Sequence, residues 1–142
     1  MNVFVDADYA GGQMTRRSQT GIIIYLNCAP IIWYKKCQNT VESSTFRPEL
    51  VARQIVLEMV ESLCYKLCIF GIPIYLPTNI FHDNKSIVII STIPTSKHKK
   101  KHYSIAYHCV REVVAAKIFQ IAKVHLSGNL ADLLTKLLGA SA

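Results

Sequence analysis

The apolar residues of this 142-residue chain alternate at first and then recur three and four apart, and that switch limits the available folds more than any other feature. From Val3 to Asp8 the pattern alternates, with Val3 and Val5 on one side of a strand and Phe4, Asp6 and Asp8 on the other. A polar turn over Gly11–Thr20, carrying Arg16 and Arg17, leads into the β-branched run Gly21–Leu26, which reads as a central strand. Asn27–Pro30 turns the chain and Ile31–Lys35 returns as a third strand. The spacing then lengthens: Ala52, Val56, Met59, Val60, Leu63 and Leu67 recur three and four apart, the stripe of one helical face. Ser43, Ser44 and Thr45 offer capping hydroxyls ahead of that helix, and Gly71 and Pro73 end it near Phe70. Beyond it the expected order is a fourth strand at Asn79–Asp83 and a short helix at Asn84–Ser91. A helix from about His102 to Ala116, a fifth strand at Lys117–His125 and a terminal helix at Asn129–Leu138 follow. Three strands in hairpin order, followed by alternating helix and strand, imply an α/β domain with a mixed sheet and helices packed on its faces.

The length suits one domain spanning 1–142, and 51% hydrophobic residues supply a core and argue against disorder. Sixteen Lys+Arg against nine Asp+Glu leave a formal charge of +7, which points to a polyanionic partner. The longest apolar stretch, Gly21–Tyr34, is interrupted by Asn27 and Pro30 and is shorter than the ~20 residues of a membrane helix. With no signal peptide and no tight cysteine pairing among the five thiols, the expectation is a soluble intracellular protein without a membrane partner. Cys64 and Cys68, four apart on the long helix, are expected to be buried thiols rather than zinc ligands.

Because acidic residues are so few, each position can be weighed. Asp83 could cap the next helix, Glu49 could be an ordinary first-turn acid, and Asp132 could answer the positive end of the last helix. Asp6 is harder to explain that way, since a carboxylate inside an apolar strand is costly. Asp8 shares its face and competes for the same role. Four carboxylates at strand ends and helix starts of a basic chain suggest a site for hard divalent cations, Mg²⁺ or Mn²⁺.

The motif series sharpens this. Val5-Asp-Ala-Asp-Tyr-Ala10, Thr15-Arg-Arg-Ser18 and Thr20-Gly21 resemble the opening of the ribonuclease H domain in copia-type retrotransposon polyproteins. The resemblance continues through Ala29-Pro-Ile-Ile-Trp33, Asn39-Thr-Val-Glu-Ser-Ser-Thr45, Glu49-Leu-Val-Ala52 and Asp83-Asn-Lys-Ser86. His102, Tyr107-His108, Val110-Arg-Glu112 and Asn129-Leu-Ala-Asp-Leu-Leu-Thr-Lys136 complete it, in order along the whole chain. It implies an RNase H-like fold, a five-stranded mixed sheet with helices on both faces. It also implies an endonuclease that hydrolyses the RNA strand of RNA–DNA hybrids with two Mg²⁺ (or Mn²⁺) ions during retrotransposon reverse transcription.

Matched motif by motif, the resemblance makes Asp6, Glu49, Asp83 and Asp132 the catalytic, metal-holding carboxylates, with Asp8 behind Asp6. His125, seven residues before Asp132, is implied as an auxiliary proton shuttle. The expected partners are the hybrid and the reverse transcriptase domain of the same polyprotein, in a cytoplasmic virus-like particle or the nucleus. This chain would be a fragment lacking the upstream polymerase. Hybrids are read through backbone shape and 2′-hydroxyls, so Arg16, Arg17, Lys97, Lys99, Lys100 and Lys101 are the expected phosphate contacts. Arg47-Pro48 before Glu49, and His82 before Asp83, depart from the small, polar or thiol residues usual there. The alternative is a catalytically inactive, hybrid-binding remnant of the polyprotein.

Overall fold

In hairpin order the chain lays down β1 (Asn2–Asp8), β2 (Gln19–Leu26) and β3 (Ala29–Cys37), then the long helix α1 (Phe46–Ile69). It continues with β4 (Thr78–His82), β5 (Phe119–Lys123) and the short helix α2 (Asp132–Thr135). The computed structural model describes residues 1–9, 16–39, 46–72, 74–83, 108, 112–125 and 128–136. The expected capping residues Ser43, Ser44 and Thr45, the helix over 84–91 and the lysines Lys97, Lys99, Lys100 and Lys101 lie outside the described residues. Of the helix expected to end at Ala116, residues 108 and 112–115 are described and helical.

The five strands form one mixed sheet in the order β3-β2-β1-β4-β5. The first three pair antiparallel, whereas β4 lies parallel to β1 and β5 parallel to β4. A two-residue turn, with Asn27 at φ 54°, joins β2 to β3. Asn is among the few side-chain-bearing residues that take this left-handed conformation readily. Pro30 is therefore a strand residue rather than part of the turn, tolerated because β3 is an edge strand.

Alternation assigns the two faces. Val3, Val5, Ile22, Ile24 and Ile80 are fully or almost fully buried, and with Ala52, Val56, Leu57 and Val60 of α1 they form the core. Each of the Val, Leu and Ile side chains among them contributes on the order of 1.5–3 kcal/mol relative to exposure. The opposite face carries Phe4, stacked on Phe81 with ring centroids 5.1 Å apart and edge-on to Tyr25. It also carries Gly21, over which α2 packs.

Within the stripe on α1, Ala52, Val56 and Val60 are buried, whereas Met59, Leu63 and Leu67 are only half-buried. Cys64 is half-buried and Cys68 exposed, not the two buried thiols expected. Trp33 stands 70% exposed on the edge strand. Among the described residues no helix is long and apolar enough to cross a membrane.

Gly21 is the tightest point of the second face. A Cβ there would lie 2.8 Å from Thr135 Cγ2, 2.9 Å from the Ala131 carbonyl oxygen and 3.0 Å from Leu134 Cβ. Two of these three neighbours belong to α2 and the third is backbone, so none is a yielding side-chain tip. Gly21→Ala is expected to destabilise the fold by about 1–3 kcal/mol by lifting α2 from the sheet. Thermal unfolding of the variant checks this, and an unchanged melting temperature would mean that α2 is not seated through Gly21.

A candidate metal centre at the strand ends

Three carboxylates meet where β1 and β4 run out. Asp6 sits inside β1 opposite Gly21, Asp83 directly follows β4, and Asp132 begins α2. One ligand oxygen from each lies within 4.8 Å of the other two. The backbone explains the convergence. Parallel pairing of β1 and β4 brings their C-terminal ends to the same side, and the Val124 amide donates to the His82 carbonyl at 2.9 Å, tying β5 to the end of β4.

The last segment is pinned by Asn129. Its side-chain amide donates to the Val5 carbonyl at 3.1 Å, and its side-chain oxygen accepts from the Ala131 amide at 3.2 Å. Asp132 is thus delivered beside Asp6 although 126 positions separate them in sequence. The Thr135 hydroxyl donates to Asp6 Oδ2, and the Lys136 ammonium donates to Asp132 Oδ2.

The electrostatics follow from this crowding. Burial pushes the Asp6 carboxyl above the ordinary aspartate range; the Thr135 hydrogen bond opposes the rise, while neighbouring Asp132 and Asp83 add to it. Asp83 moves the other way, mainly because the His82 imidazole N–H holds its charged form, against a smaller opposing effect of burial. The hydrogen bond to Asp132 raises Lys136 above the usual lysine value. Asp132 Oδ1 is buried and has no hydrogen-bond partner among the described residues. Three hard oxygen donors, one of them so placed, with mutual repulsion concentrated on Asp6, form a donor set that fits a divalent cation.

Glu49 is placed differently. It lies in the first turn of α1, 8% exposed, and it is not in the group of three. Its Oε2 stands 4.0 Å from Nε2 of His82, whose Nδ1 is 3.3 Å from Asp83 Oδ1. One turn along α1, Arg53 is 1% exposed; burial depresses its guanidinium to about 9 against the opposing charge of Glu49. Pro48 is accommodated in the first helical turn, where its missing N–H costs nothing, and its carbonyl accepts from Gln38 Nε2 at 2.9 Å. The same Gln38 nitrogen donates to Thr20 Oγ1 at 2.9 Å, so Gln38 ties the head of α1 to β2.

Asp8 ends β1 opposite Gln19 and is likewise outside the group of three. Arg16 and Arg17 are exposed just before β2, near that same end of β1. His125 is exposed after β5, its carbonyl accepting from the Gly128 amide at 2.8 Å. Thr135, Lys136, Arg53 and His82 were not singled out as site residues by sequence reasoning. Only His82 carried a signal, as an unusual residue beside Asp83.

No family model matches the chain. It is similar to the retrovirus-related Pol polyprotein from transposon RE1 of Arabidopsis thaliana, at 30% identity over 142 residues, all of this chain and 10% of that protein. It is also similar to the polyprotein from transposon TNT 1-94 of Nicotiana tabacum, at 28% over 134 residues, 94% of this chain and 10% of the relative. The chain thus spans about a tenth of the curated relatives it matches.

Among solved structures it resembles LC11-RNase H1, isolated from compost by a metagenomic approach, with a TM-score of 0.70 at 13% identity, covering 94% of this chain and 91% of that one. RNase H1 from Halobacterium salinarum matches with a TM-score of 0.64 at 13% identity, covering 94% and 92%. The sheet order, the helices on its two faces and these likenesses agree: the chain has the RNase H-like fold, and its homologues are retrovirus-related Pol polyproteins from transposons.

Proposed function

We propose that residues 1–142 form the single ribonuclease H domain of a transposon-type Pol polyprotein and that it hydrolyses the RNA strand of RNA–DNA hybrids. The observation that carries this reading is the meeting of Asp6, Asp83 and Asp132 at one strand end of an RNase H-like sheet. A solved neighbour of the same fold, LC11-RNase H1, is in complex with an RNA/DNA hybrid. The physiological partner in this reading is the reverse transcriptase domain of the same polyprotein, and the setting is intracellular.

The three aspartates would hold Mg²⁺ or Mn²⁺. When bound, a pair of such ions activates water and stabilises the leaving 3′ oxygen of a phosphodiester. The chain's own residues then have separate tasks. Thr135 fixes the orientation of the Asp6 carboxylate through its hydroxyl. Lys136 offsets the charge of Asp132 and, half-exposed, stands beside the site where a scissile phosphate would lie. Glu49 completes the acidic set from the α1 side, and His125 is the candidate for carrying a proton to or from solvent. Arg16, Arg17 and the Lys97, Lys99, Lys100 and Lys101 run supply backbone phosphate contacts.

The test uses hybrids labelled on either strand, incubated with the protein and Mg²⁺. The RNA strand should shorten to fragments with 5′-phosphate ends while the DNA strand stays intact. Cutting of the DNA strand would replace this reading with another nuclease of the same fold. Binding without any cutting would favour the inactive hybrid-binding module.

The lysine run makes a separate prediction. Each phosphate contact releases condensed counterions, so hybrid affinity should fall steeply with salt. Replacing Lys99, Lys100 and Lys101 by Ala should flatten the log–log salt slope by about one unit per lost contact. An unchanged slope would assign that run to a solvated face.

A further inference from the structure

The β2–β3 hairpin concentrates positive charge. Residues 16–39 hold Arg16, Arg17, Lys35 and Lys36 and no acidic residue, in a chain whose formal charge is +7. All four cations are exposed. Arg16 and Arg17 lead into β2, and the register pairs Gly21 with Lys35 and Thr20 with Lys36, so the four gather at the open end of the hairpin, opposite the Asn27 turn. Two residues from Lys35, on the same face of β3 by strand alternation, Trp33 stands 70% exposed. It ends a rung that runs Phe81, Phe4, Ile23, Trp33 across four strands, and the other three members are half-buried. The sheet therefore presents a flat indole to solvent with an ammonium beside it.

Such a surface suits a ligand that carries flat rings and regular negative charge. We propose that Trp33 and Lys35 form a site for single-stranded nucleic acid, in which one unpaired base stacks on the indole and the phosphate beside it meets the ammonium. A duplex offers no such base, because each base face inside it is already covered by the next pair. A second copy of the chain fits poorly: a symmetric contact would set the same acid-free, cation-rich hairpin against itself, and Pro30 withholds a ladder hydrogen bond from the edge. The site is separate from the aspartate cluster. Asp6, Gly21 and Lys35 share one rung, and α2 sits over its middle member. It also needs no metal, so it stands or falls independently of the hydrolytic reading.

Trp33 is the only tryptophan in the chain, so its emission reports this site alone. The unaltered protein is titrated, with chelator present, with unstructured dodecamers of uridine and of deoxyuridine, which differ only in the 2′-hydroxyl. Both should quench Trp33 and shield it from acrylamide, and a blunt RNA–DNA hybrid of the same length should do neither. A response to one dodecamer alone upholds the site and names the strand it takes. With fluorescein-labelled dodecamers, Trp33→Leu should weaken binding at least about fivefold, the loss of one base stack, while Trp33→Phe, which keeps a flat ring, stays within about threefold of the parent. Lys35→Ala should flatten the log–log salt slope by about 0.7, the value for one phosphate of a single strand.

Binding that leaves the emission and acrylamide access of Trp33 unchanged would put the strand elsewhere and overturn the proposal, a result that decides even should the variants fail to fold. Equal binding by Trp33→Leu and the parent overturns it as well. Equal quenching by the blunt hybrid would make the contact one with duplex instead. Sedimentation of the protein alone covers the remaining occupant: a dimer in which Trp33 is already shielded from acrylamide before any nucleic acid is added would give this face to a second copy.

Discussion

Asp83→Asn is expected to lower RNA cleavage by at least about a hundredfold, because losing a metal ligand should cost no less than the 10–100-fold typical of residues that merely support one. The amide has nearly the shape of the carboxylate, so packing at the end of β4 is preserved and the charge alone is lost. Hybrid binding should stay within about twofold of the parent, since the proposed phosphate contacts are the arginines and lysines rather than the acids. Asp83 is also the carboxylate held in its charged form by His82, which makes the ionised state the one relevant to this site. Single-turnover cleavage and equilibrium binding, measured side by side, check both halves. Cleavage at the parental rate would remove Asp83 from the chemistry. Equal losses in binding and cleavage would make it a substrate-binding or folding residue instead.

The second large effect concerns stability. Arg53 is among the largest fully buried side chains and carries its charge beside Glu49, itself only 8% exposed. Removing one member of a buried charged pair strands the other, at a cost of about 3–5 kcal/mol. Arg53→Met, which keeps most of the side-chain volume, should therefore lower unfolding free energy by about that amount in chemical denaturation. Adding Glu49→Gln to it should restore at least half of the loss, because the remaining group is then neutral. A single variant as stable as the parent would show that Arg53 does not balance Glu49. A double variant no better than Arg53→Met would place the cost in packing rather than charge.

Much of the architecture was legible because it is written in periodicity. Alternation at Val3 and Val5, the β-branched run before Leu26 and the three-and-four spacing on α1 each depend only on neighbours along the chain, and the matching elements appear within a few residues of where they were expected. The terminal helix was expected over Asn129–Leu138, and its described part is the four residues of α2, preceded by the turn that Asn129 pins. Exposure was less legible. Cys68 and Trp33 sit on apolar patterns, yet both are exposed, and for Trp33 the reason is that β3 is an edge strand, a fact not local to the residue.

The site divides in the same way. Asp6, Asp83 and Asp132 announced themselves as acids at strand ends and a helix start, and the fold brings all three together. What holds them was hidden, because Thr135 reaches Asp6 across 129 positions and Gly21 matters only where Ala131 and Thr135 press on it. Glu49 was correctly placed at the head of α1, yet its neighbour His82 depends on how that helix sits over β4. No spacing rule within either segment reports that contact.

The most direct test of the central claim is metal-dependent cleavage by the unaltered chain. A hybrid labelled on its RNA strand should be cut when Mg²⁺ is present, remain whole when a chelator is in excess, and be cut again when Mg²⁺ is restored. Cleavage that persists under chelation, or a folded protein that binds the hybrid and never cuts it at any Mg²⁺ or Mn²⁺ concentration, would contradict the assignment of the Asp6, Asp83 and Asp132 cluster as a working hydrolytic metal centre.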